Sequence, residues 1–377
     1  VLTSSVVDYK TRFPFSTTNY LTSGTIPAAV SFSEGTSFNV SAFANASWTY
    51  DERYTVSGSL RKDASNIFGV ESNEKGQPLY SLGAAWNIAR EEFYPLDFLP
   101  SLKLRFTYGY SGNVDNTLSA QTTIRYNATE PISSLPYGNI TNPPNPSLRW
   151  EKTRISNLGL DFGSRAGRIS GSLEYYRKKG TDLIGYQPLD PTTGVINPAT
   201  GRYEFKGNVA SMKGEGLELE LNSRNLTGAF SWNTTLLFSH TSNKVTDYYQ
   251  VSELGKDYVA SGLAINPLVG KPLYALFSYK WAGLDAATGD PQGYLNGELS
   301  KNYTNILNST KVEELVYHGA ALPTVFGAFR NTFSYKGFEV SANIIYKFNY
   351  YFTNSSISYS ALYANWIGHA DYAKRWQ

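Results

Sequence analysis

The sequence contains no cysteine, which excludes disulfide bonds, thiolate metal ligands and cysteine nucleophiles. No uninterrupted apolar run approaches the roughly 20 residues of a membrane-spanning helix, so a helical membrane protein is excluded. Neither sign of charge is in excess, since the formal net charge is +2 over 377 residues, and no basic cluster is interleaved with aromatic residues. The sequence therefore lacks the electrostatic pattern of a nucleic-acid-binding protein.

The feature that is abundant is strict alternation of polar and apolar residues. Segment 53–61 reads Arg-Tyr-Thr-Val-Ser-Gly-Ser-Leu-Arg, and side chains of a strand point alternately to its two faces. Such a strand has one apolar and one polar face, over a length that crosses a bilayer at a tilt. The pattern recurs and predicts about ten strands, at 42–50, 53–61, 80–88, 102–110, 154–162, 168–177, 217–222, 230–238, 325–335 and 338–348.

The connections between these segments alternate between short and long. The long ones are predicted at 111–152, 178–213 and 240–324, and residues 1–37 and 350–377 are interpreted as further loops. Outer-membrane barrels combine tight periplasmic turns with long extracellular loops, whereas a soluble sandwich gives no reason for this alternation. The prediction is an all-β fold, a transmembrane antiparallel up-and-down β-barrel. Tyrosine and tryptophan on its outer face, such as Trp48, Tyr80, Trp86, Tyr110, Trp232 and Tyr346, would form the interfacial girdle.

The loop pattern places both chain ends on the long-loop side, which is the extracellular side of such a barrel. Complete single-chain barrels normally have periplasmic ends. Residues 1–377 are therefore expected to be one partial barrel domain, an internal piece of a larger barrel with more strands at each end.

Several motifs resemble those of one family. Asn145-Pro-Ser-Leu-Arg-Trp-Glu-Lys-Thr153, with Asn157-Leu-Gly-Leu-Asp-Phe162 after it, is similar to a segment of SusC-like TonB-dependent outer-membrane transporters of the RagA and SusC type. Ile169–Lys179 with Thr181-Asp-Leu183 resembles the next strand of that family. Further similar stretches are Ser65–Gly69 before Ser81–Trp86, Trp281–Asp285 with Thr288–Gly293, and Phe333–Phe338.

This resemblance implies a barrel of about 22 strands that is plugged and energised through TonB. The plug domain, the TonB-contacting segment and the closing strand of the family are not in this sequence. The resemblance further implies a SusD-like surface lipoprotein as a lid, outer-membrane lipid around the wall, and active import of oligosaccharides or oligopeptides. The bacterial outer membrane is the expected location.

Two other functions remain open from the residues alone. One is a passive porin or structural barrel without a plug, and the other is an outer-membrane barrel enzyme. The three histidines, His240, His318 and His369, all lie in predicted long loops, and no neighbouring sequence ties one of them to a nucleophile. The prediction is therefore a protein that is not an enzyme and has no catalytic, cofactor-binding or metal-binding residues.

A further prediction concerns residues that line the path of the substrate. Asn113, Asp115 and Asn116 lie at the extracellular end of a strand, where they could hydrogen-bond a polar oligomer or simply form a turn. Trp281 in the longest loop could stack on sugar rings, clamp the lid protein, or hold its own loop together. These four residues are the candidate substrate-lining positions.

Two groups of charged residues can each be interpreted in a functional or a structural way. Asp285 and Asp290 could bind calcium, but their spacing does not match an EF-hand loop and favours an aspartate-stabilised turn. Cations on the polar face could guide a substrate through the lumen or form ion pairs with Asp63, Glu174, Glu218, Glu220 or the plug. These cations are Arg53, Arg61, Lys103, Arg105, Arg168 and Arg330.

Overall fold

A computed structural model defines the fold. It describes residues 3–4, 32–33, 39–65, 76–115, 118, 120–127, 132–133, 135, 137–197, 201–249, 252–259 and 266–376. Most of the predicted loop 1–37 lies outside these residues, apart from a pairing of Thr3–Ser4 with Phe32–Ser33.

Ten strands form one antiparallel sheet in which each strand pairs with its neighbours along the chain. This order is that of an up-and-down meander and confirms the predicted fold class. Within the described residues, β1 and β10 occupy the two edges. The strands are β1 (Asn39–Tyr50), β2 (Tyr54–Ser65), β3 (Gly76–Asn87), β4 (Ser101–Asn113), β5 (Glu151–Gly163), β6 (Ile169–Pro188), β7 (Glu204–Leu226), β8 (Phe230–Tyr248), β9 (Val325–Tyr335) and β10 (Phe338–Phe348).

The register of the strands joins their apolar residues into one continuous face. One row across the sheet runs through Val56, Ala84, Phe106, Leu158, Tyr175 and Leu217. This apolar face is not packed into a core. Elsewhere on it, Leu60 is 57% exposed and Val340 is 67% exposed, while Leu104 is half-buried. A sheet that presents its large apolar side chains outward and its polar ones inward is suited to surrounding lipid.

The short turns have backbone angles that suit a tight hairpin. Asp51 and Glu52 have φ of 49° and 52°, and Lys336 and Gly337 have φ of 46° and 85°. Two consecutive positive φ values define the type I′ turn, whose twist matches that of the flanking strands. The β5–β6 connection, with a 3₁₀ turn at Arg165–Gly167, is similarly tight. The predicted short ends of the hairpins are confirmed.

Three strands are much longer than the alternation indicated. The predicted loop 178–213 is wrong at both ends, since β6 continues to Pro188 and β7 begins at Glu204. Likewise β8 continues to Tyr248, so the predicted loop start at 240 is wrong. We call the band of outward apolar side chains the apolar belt; beyond it no lipid requires an alternating sequence pattern. The hydrogen-bonded pairing of β6 with β7 nevertheless continues there, across a β-bulge near Asp182.

The long connections contain structure of their own. Segment 114–150 holds the hairpin Thr123–Asn127 with Tyr137–Asn142. Segment 249–324 holds the pair Ala275–Ser278 with Val316–Ala320, the hairpin Gly293–Leu295 with Glu298–Ser300, and helix α1 (Tyr303–Ser309). The last segment, predicted as a loop, contains helix α2 (Tyr359–Asn365). Other 3₁₀ turns span Ile88–Arg90, Pro191–Thr193, Gly255–Asp257, Val312–Glu314 and Ala370–Lys374.

In the part of the chain that the structure describes, no helix is long and apolar enough to cross a membrane; this finding has no bearing on crossing by strands.

Candidate ligand-binding surface at the long-loop end

The inner face of the sheet carries a network of charges centred on Arg105. Its guanidinium donates two hydrogen bonds to Asp161, at 2.6 and 2.7 Å, and one to Glu174 at 2.7 Å. Asn157 donates to the second oxygen of Glu174 at 2.9 Å. One bidentate cation thus joins β4, β5 and β6, so Arg105 ties the wall together and is not free to guide a substrate.

The other predicted lumen cations divide into paired and unpaired groups. Arg53 pairs with Asp51 at 2.9 Å, and Arg61 pairs with Asp63 at 2.6 Å. Among the described residues, Lys103 and Arg330 form no ion pair. The position predicted for Arg168 is wrong, because it lies in the turn before β6. The pairing interpretation is thus confirmed for Arg61 with Asp63 and for Arg105 with Glu174, whereas Arg53 pairs with Asp51 and Glu91, which were not among the predicted partners.

Above this wall, the Asn145–Thr153 motif forms the base of loop 114–150. Leu148 is 1% exposed and packs with Trp150, Leu118 and Ala120 in a small core. Asn145 is also buried, and its backbone N–H donates to the carbonyl of Ala120 at 2.9 Å. The motif that carries the family resemblance is therefore a packing and hydrogen-bonding unit.

Hydrogen bonds between the Asn208 side chain and the backbone of Arg149 and Asp182, which we call the backbone clamp, fix this unit to the two longest strands. Asn208 of β7 accepts the Arg149 N–H at 2.9 Å and donates to the Arg149 carbonyl at 2.7 Å. It also donates to the carbonyl of Asp182 at 2.6 Å. The Asp182 carboxylate in turn accepts from the Arg149 guanidinium at 2.6 Å and lies 3.4 Å from the Lys152 ammonium. Sequence reasoning missed Asn208, because a single asparagine in a polar stretch gives no periodic signal.

Two of the four candidate substrate-lining residues, Asn113 and Asp115, belong to the neighbourhood of this clamp. Asn113 is exposed at the end of β4, and its amide donates to Glu151 at 2.9 Å. Asp115 lies 3.5 Å from the ammonium of Lys206. Asn116 lies outside the described residues. Both described side chains thus have structural partners on the rim, and Asn113 remains accessible from the long-loop side.

The fourth candidate, Trp281, lies in a different loop and lines a pocket of about 730 Å³ in segment 249–324. Its side chain is 65% exposed. The lining also includes Tyr279, Lys280, Tyr294 and Glu314. Aromatic faces next to a few charged groups suit an amphipathic oligomer, and the volume is typical of a small-ligand site.

A packed base and an ion-paired turn support this pocket. Tyr279 of the lining packs against a buried cluster of Tyr258, Phe277, Val312 and Leu315. On the turn after Trp281, the Asp285 carboxylate accepts the N–H groups of Ala287 and Thr288 and lies 2.9 Å from the Lys301 ammonium. The same ammonium lies 3.1 Å from Asp290.

The predicted aspartate-stabilised turn is confirmed by these contacts. Within the described residues no group of three or more potential metal-ligating His, Cys, Asp or Glu side chains was found. The Lys301 side chain and the two backbone N–H groups lower the pKa of Asp285 to about 2. This carboxylate therefore stays ionised well into the acidic range.

The turn should unfold only in strong acid. Because the folded pKa of Asp285 is about 2 and its ordinary value is 3.8, the stabilisation is complete above pH 3.8 and is lost as the pH falls toward 2. Pepsin, which is active over this range, should cleave 279–301 in the full-length protein only near pH 2, whereas Asp285→Asn should be cleaved at pH 4 as well. Glu298→Gln, on the same loop, should behave as the wild type. Equal cleavage of wild type and Asp285→Asn at pH 4 would contradict this account.

The three histidines lie on different elements. His240, predicted in a loop, lies on β8, and that prediction is wrong. His318 lies 2.7 Å from the Ser278 hydroxyl, but no carboxylate in the described ranges is within ion-pair distance of its ring. His369 caps a 3₁₀ turn and contacts Asp371 at 3.4 Å.

The model of the TonB dependent receptor-like β-barrel family matches residues 2–365. The chain belongs to this family, and it is a SusC-like, outer-membrane member of it. It is 30% identical to the TonB-dependent receptor P26 of Formosa agariphila, over 80% of this chain and 31% of that protein. It is 26% identical to the TonB-dependent receptor SusC of Bacteroides thetaiotaomicron, over 86% of this chain and 33% of SusC. The chain thus spans about a third of the length of the curated relatives it matches.

Solved structures show the same fold. The RagAB peptide transporter superposes with a TM-score of 0.70 at 22% identity, over 86% of this chain and 35% of that chain. The RagAB peptide importer in its open-open state also gives 0.70, at 21% identity. The predicted barrel of the RagA and SusC type is confirmed by these matches.

Proposed function

We propose that the chain is the wall and capture-loop region of an active outer-membrane importer of oligosaccharides or oligopeptides. In this proposal a plug closes the lumen, TonB supplies the energy through a part outside this sequence, and a SusD-like lipoprotein covers the long-loop end. The observation that carries the proposal is the combination of a SusC-like barrel wall with an exposed, aromatic-lined pocket in its longest loop.

The pocket suits capture better than catalysis. Trp281, Tyr279 and Tyr294 provide apolar faces for sugar rings or side chains of a peptide, and Lys280 and Glu314 provide polar contacts at the margin. Asn113, which is exposed at the end of β4, would meet the same ligand farther toward the lumen.

The first test is to purify the full-length protein from the outer membrane and analyse what it retains. A co-purifying surface lipoprotein, together with bound sugar or peptide, would support the proposal. Uptake of the identified oligomer should also stop when TonB is deleted. Uptake that continues without TonB would contradict active import and favour a porin.

The contribution of the pocket can be measured with a matched pair of tryptophans. Trp281→Ala should weaken binding of the retained oligomer by about tenfold or more, as expected for an aromatic anchor at a binding site. Trp366 is 92% exposed in a different segment, so Trp366→Ala provides the control and should change the affinity little. Binding is measured calorimetrically with the identified oligomer. Equal affinity for wild type and Trp281→Ala would exclude the pocket as the capture site.

A further inference from the structure

Four basic residues form a row on the outer face of the sheet, where the lipid-facing side chains lie. Arg154 of β5 is directly opposite Lys179 of β6, Lys179 is opposite Lys213 of β7, and Lys213 is opposite Lys244 of β8. Directly opposite residues in an antiparallel pair share a face, so all four side chains project from the same side of the sheet. We call these residues the outer basic row.

The outer basic row lies just beyond the apolar belt on each of its strands. Along β6, Tyr175 is followed on the same face by Arg177 and then Lys179, toward the long-loop end. Along β7, Leu217 is followed in the same direction by Glu215 and then Lys213. On β5, which runs in the opposite direction along the chain, Arg154 lies two positions of that face beyond the apolar Leu158, again toward the long-loop end. The row therefore sits where a barrel wall leaves the hydrocarbon and enters the headgroups of the outer leaflet.

The charges of the row are not neutralised by the protein around them. Lys179, Lys213 and Lys244 are exposed and form no ion pair with any residue the structure describes. The acidic residues within one row position on this face are Glu215, which lies 3.5 Å from Arg177, and Asp247. Like charges directly opposite each other destabilise a sheet, so this arrangement costs stability unless an anion lies over it.

The row also has the shape of a binding site. A groove of about 540 Å³ along these strands is lined in part by Arg177, Lys179, Lys213 and Lys244, and Glu215 also belongs to its lining. At the β4 side, the Arg154 guanidinium lies 5.9 Å from the centre of the Tyr110 ring, which belongs to the aromatic girdle. The site thus joins a cationic groove to the aromatic margin of the belt.

We propose that the outer basic row binds the phosphate groups of a glycolipid in the outer leaflet. The location selects the ligand, because the four paired side chains of the row project from the lipid-facing side of the sheet. Juxtamembrane lysines attract anionic headgroups, with a free energy of about 1 kcal/mol for each side chain near the surface. Three unpaired lysines in one row can share two phosphate groups, while the belt below packs against the acyl chains.

The test measures binding of fluorescent lipopolysaccharide to the full-length protein in detergent. The triple variant Lys179→Gln, Lys213→Gln, Lys244→Gln should bind about a hundredfold more weakly than wild type. The control removes the same number of charges from the short-turn end, with Arg165→Gln, Arg168→Gln and Lys336→Gln, and should bind within threefold of wild type. Equal binding by wild type and the first triple variant would overturn the proposal.

Two further arms separate the lipid from other anions. Dephosphorylated lipopolysaccharide should bind the wild type weakly, with about the affinity that intact lipopolysaccharide has for the triple variant. If removing the phosphates left binding to the wild type unchanged, the assignment to phosphate would be overturned. Inorganic phosphate at the same concentration should not displace the lipid, and full displacement would show a site for free phosphate instead. If the triple variant does not reach the heat-modifiable folded form on gels, Lys213→Gln alone should still weaken binding about fivefold.

Discussion

Replacing Phe106 with arginine should destabilise the membrane-inserted protein by roughly 2–4 kcal/mol, the cost of a cation near the bilayer midplane. Phe106 is 47% exposed on the outer face, near the middle of the belt on β4. Its direct neighbours across the sheet are Ala84 and Leu158, which offer no polar partner. The measurement is the free energy of unfolding of the full-length protein from lipid vesicles in denaturant, followed by tryptophan fluorescence.

The adjacent residue, Thr107, provides the control, because it lies at the same depth in the membrane as Phe106 while its side chain points to the opposite face of the sheet. Thr107 faces the lumen between Gly83 and Asn157, where water can reach a charged group. Thr107→Arg should therefore cost less than about 1 kcal/mol. Equal costs for the two variants, or a larger one for Thr107→Arg, would show that the outer and inner faces have been exchanged.

Truncating Leu148 to alanine should cost about 2–5 kcal/mol, because the side chain is almost completely buried and its loss leaves a cavity. The small core that it shares with Trp150 lies under loop 114–150 and outside the belt. The loss should appear as local opening of this loop and of the β6–β7 extension clamped to it. Amide hydrogen exchange around Asn208 should accelerate accordingly, while exchange in the belt strands should stay unchanged.

A leucine in the same loop but on its surface serves as the comparison. Leu135 is exposed, so Leu135→Ala should change neither stability nor exchange measurably. If Leu148→Ala left exchange at Asn208 unaltered, the motif would have to be connected to the rim by contacts other than this core.

The belt strands could be predicted from the sequence because lipid on one side and water on the other impose a period of two. Phe106 next to Thr107 shows the rule, and all ten strands were located by it. Outside the belt both faces meet polar surroundings, so the period disappears. This explains why the extension of β6 and β7, and the placement of His240 on a strand, could not be predicted.

The candidate sites show a similar division. Trp281 could be selected because it is an aromatic residue in a predicted long loop, but the pocket around it depends on how residues 279–316 of that loop fold together. The outer basic row could not be predicted from the sequence because its four members come from four different strands, and only Lys179 lies in a basic run, Arg177-Lys178-Lys179. The sequence favours Asn113 as a ligand contact, whereas in the structure its amide donates a hydrogen bond to Glu151.

The contrast between short turns and very long connections also bears on how the wall assembles. Hairpins such as β1–β2 and β9–β10 join neighbours in sequence, so closing them costs little chain entropy. The β4–β5 and β8–β9 pairings must instead close loops 114–150 and 249–324, which slows them. Assembly should thus begin with preformed hairpins and finish at these two seams, and the polar segments they enclose must be carried across the bilayer before the seams can close.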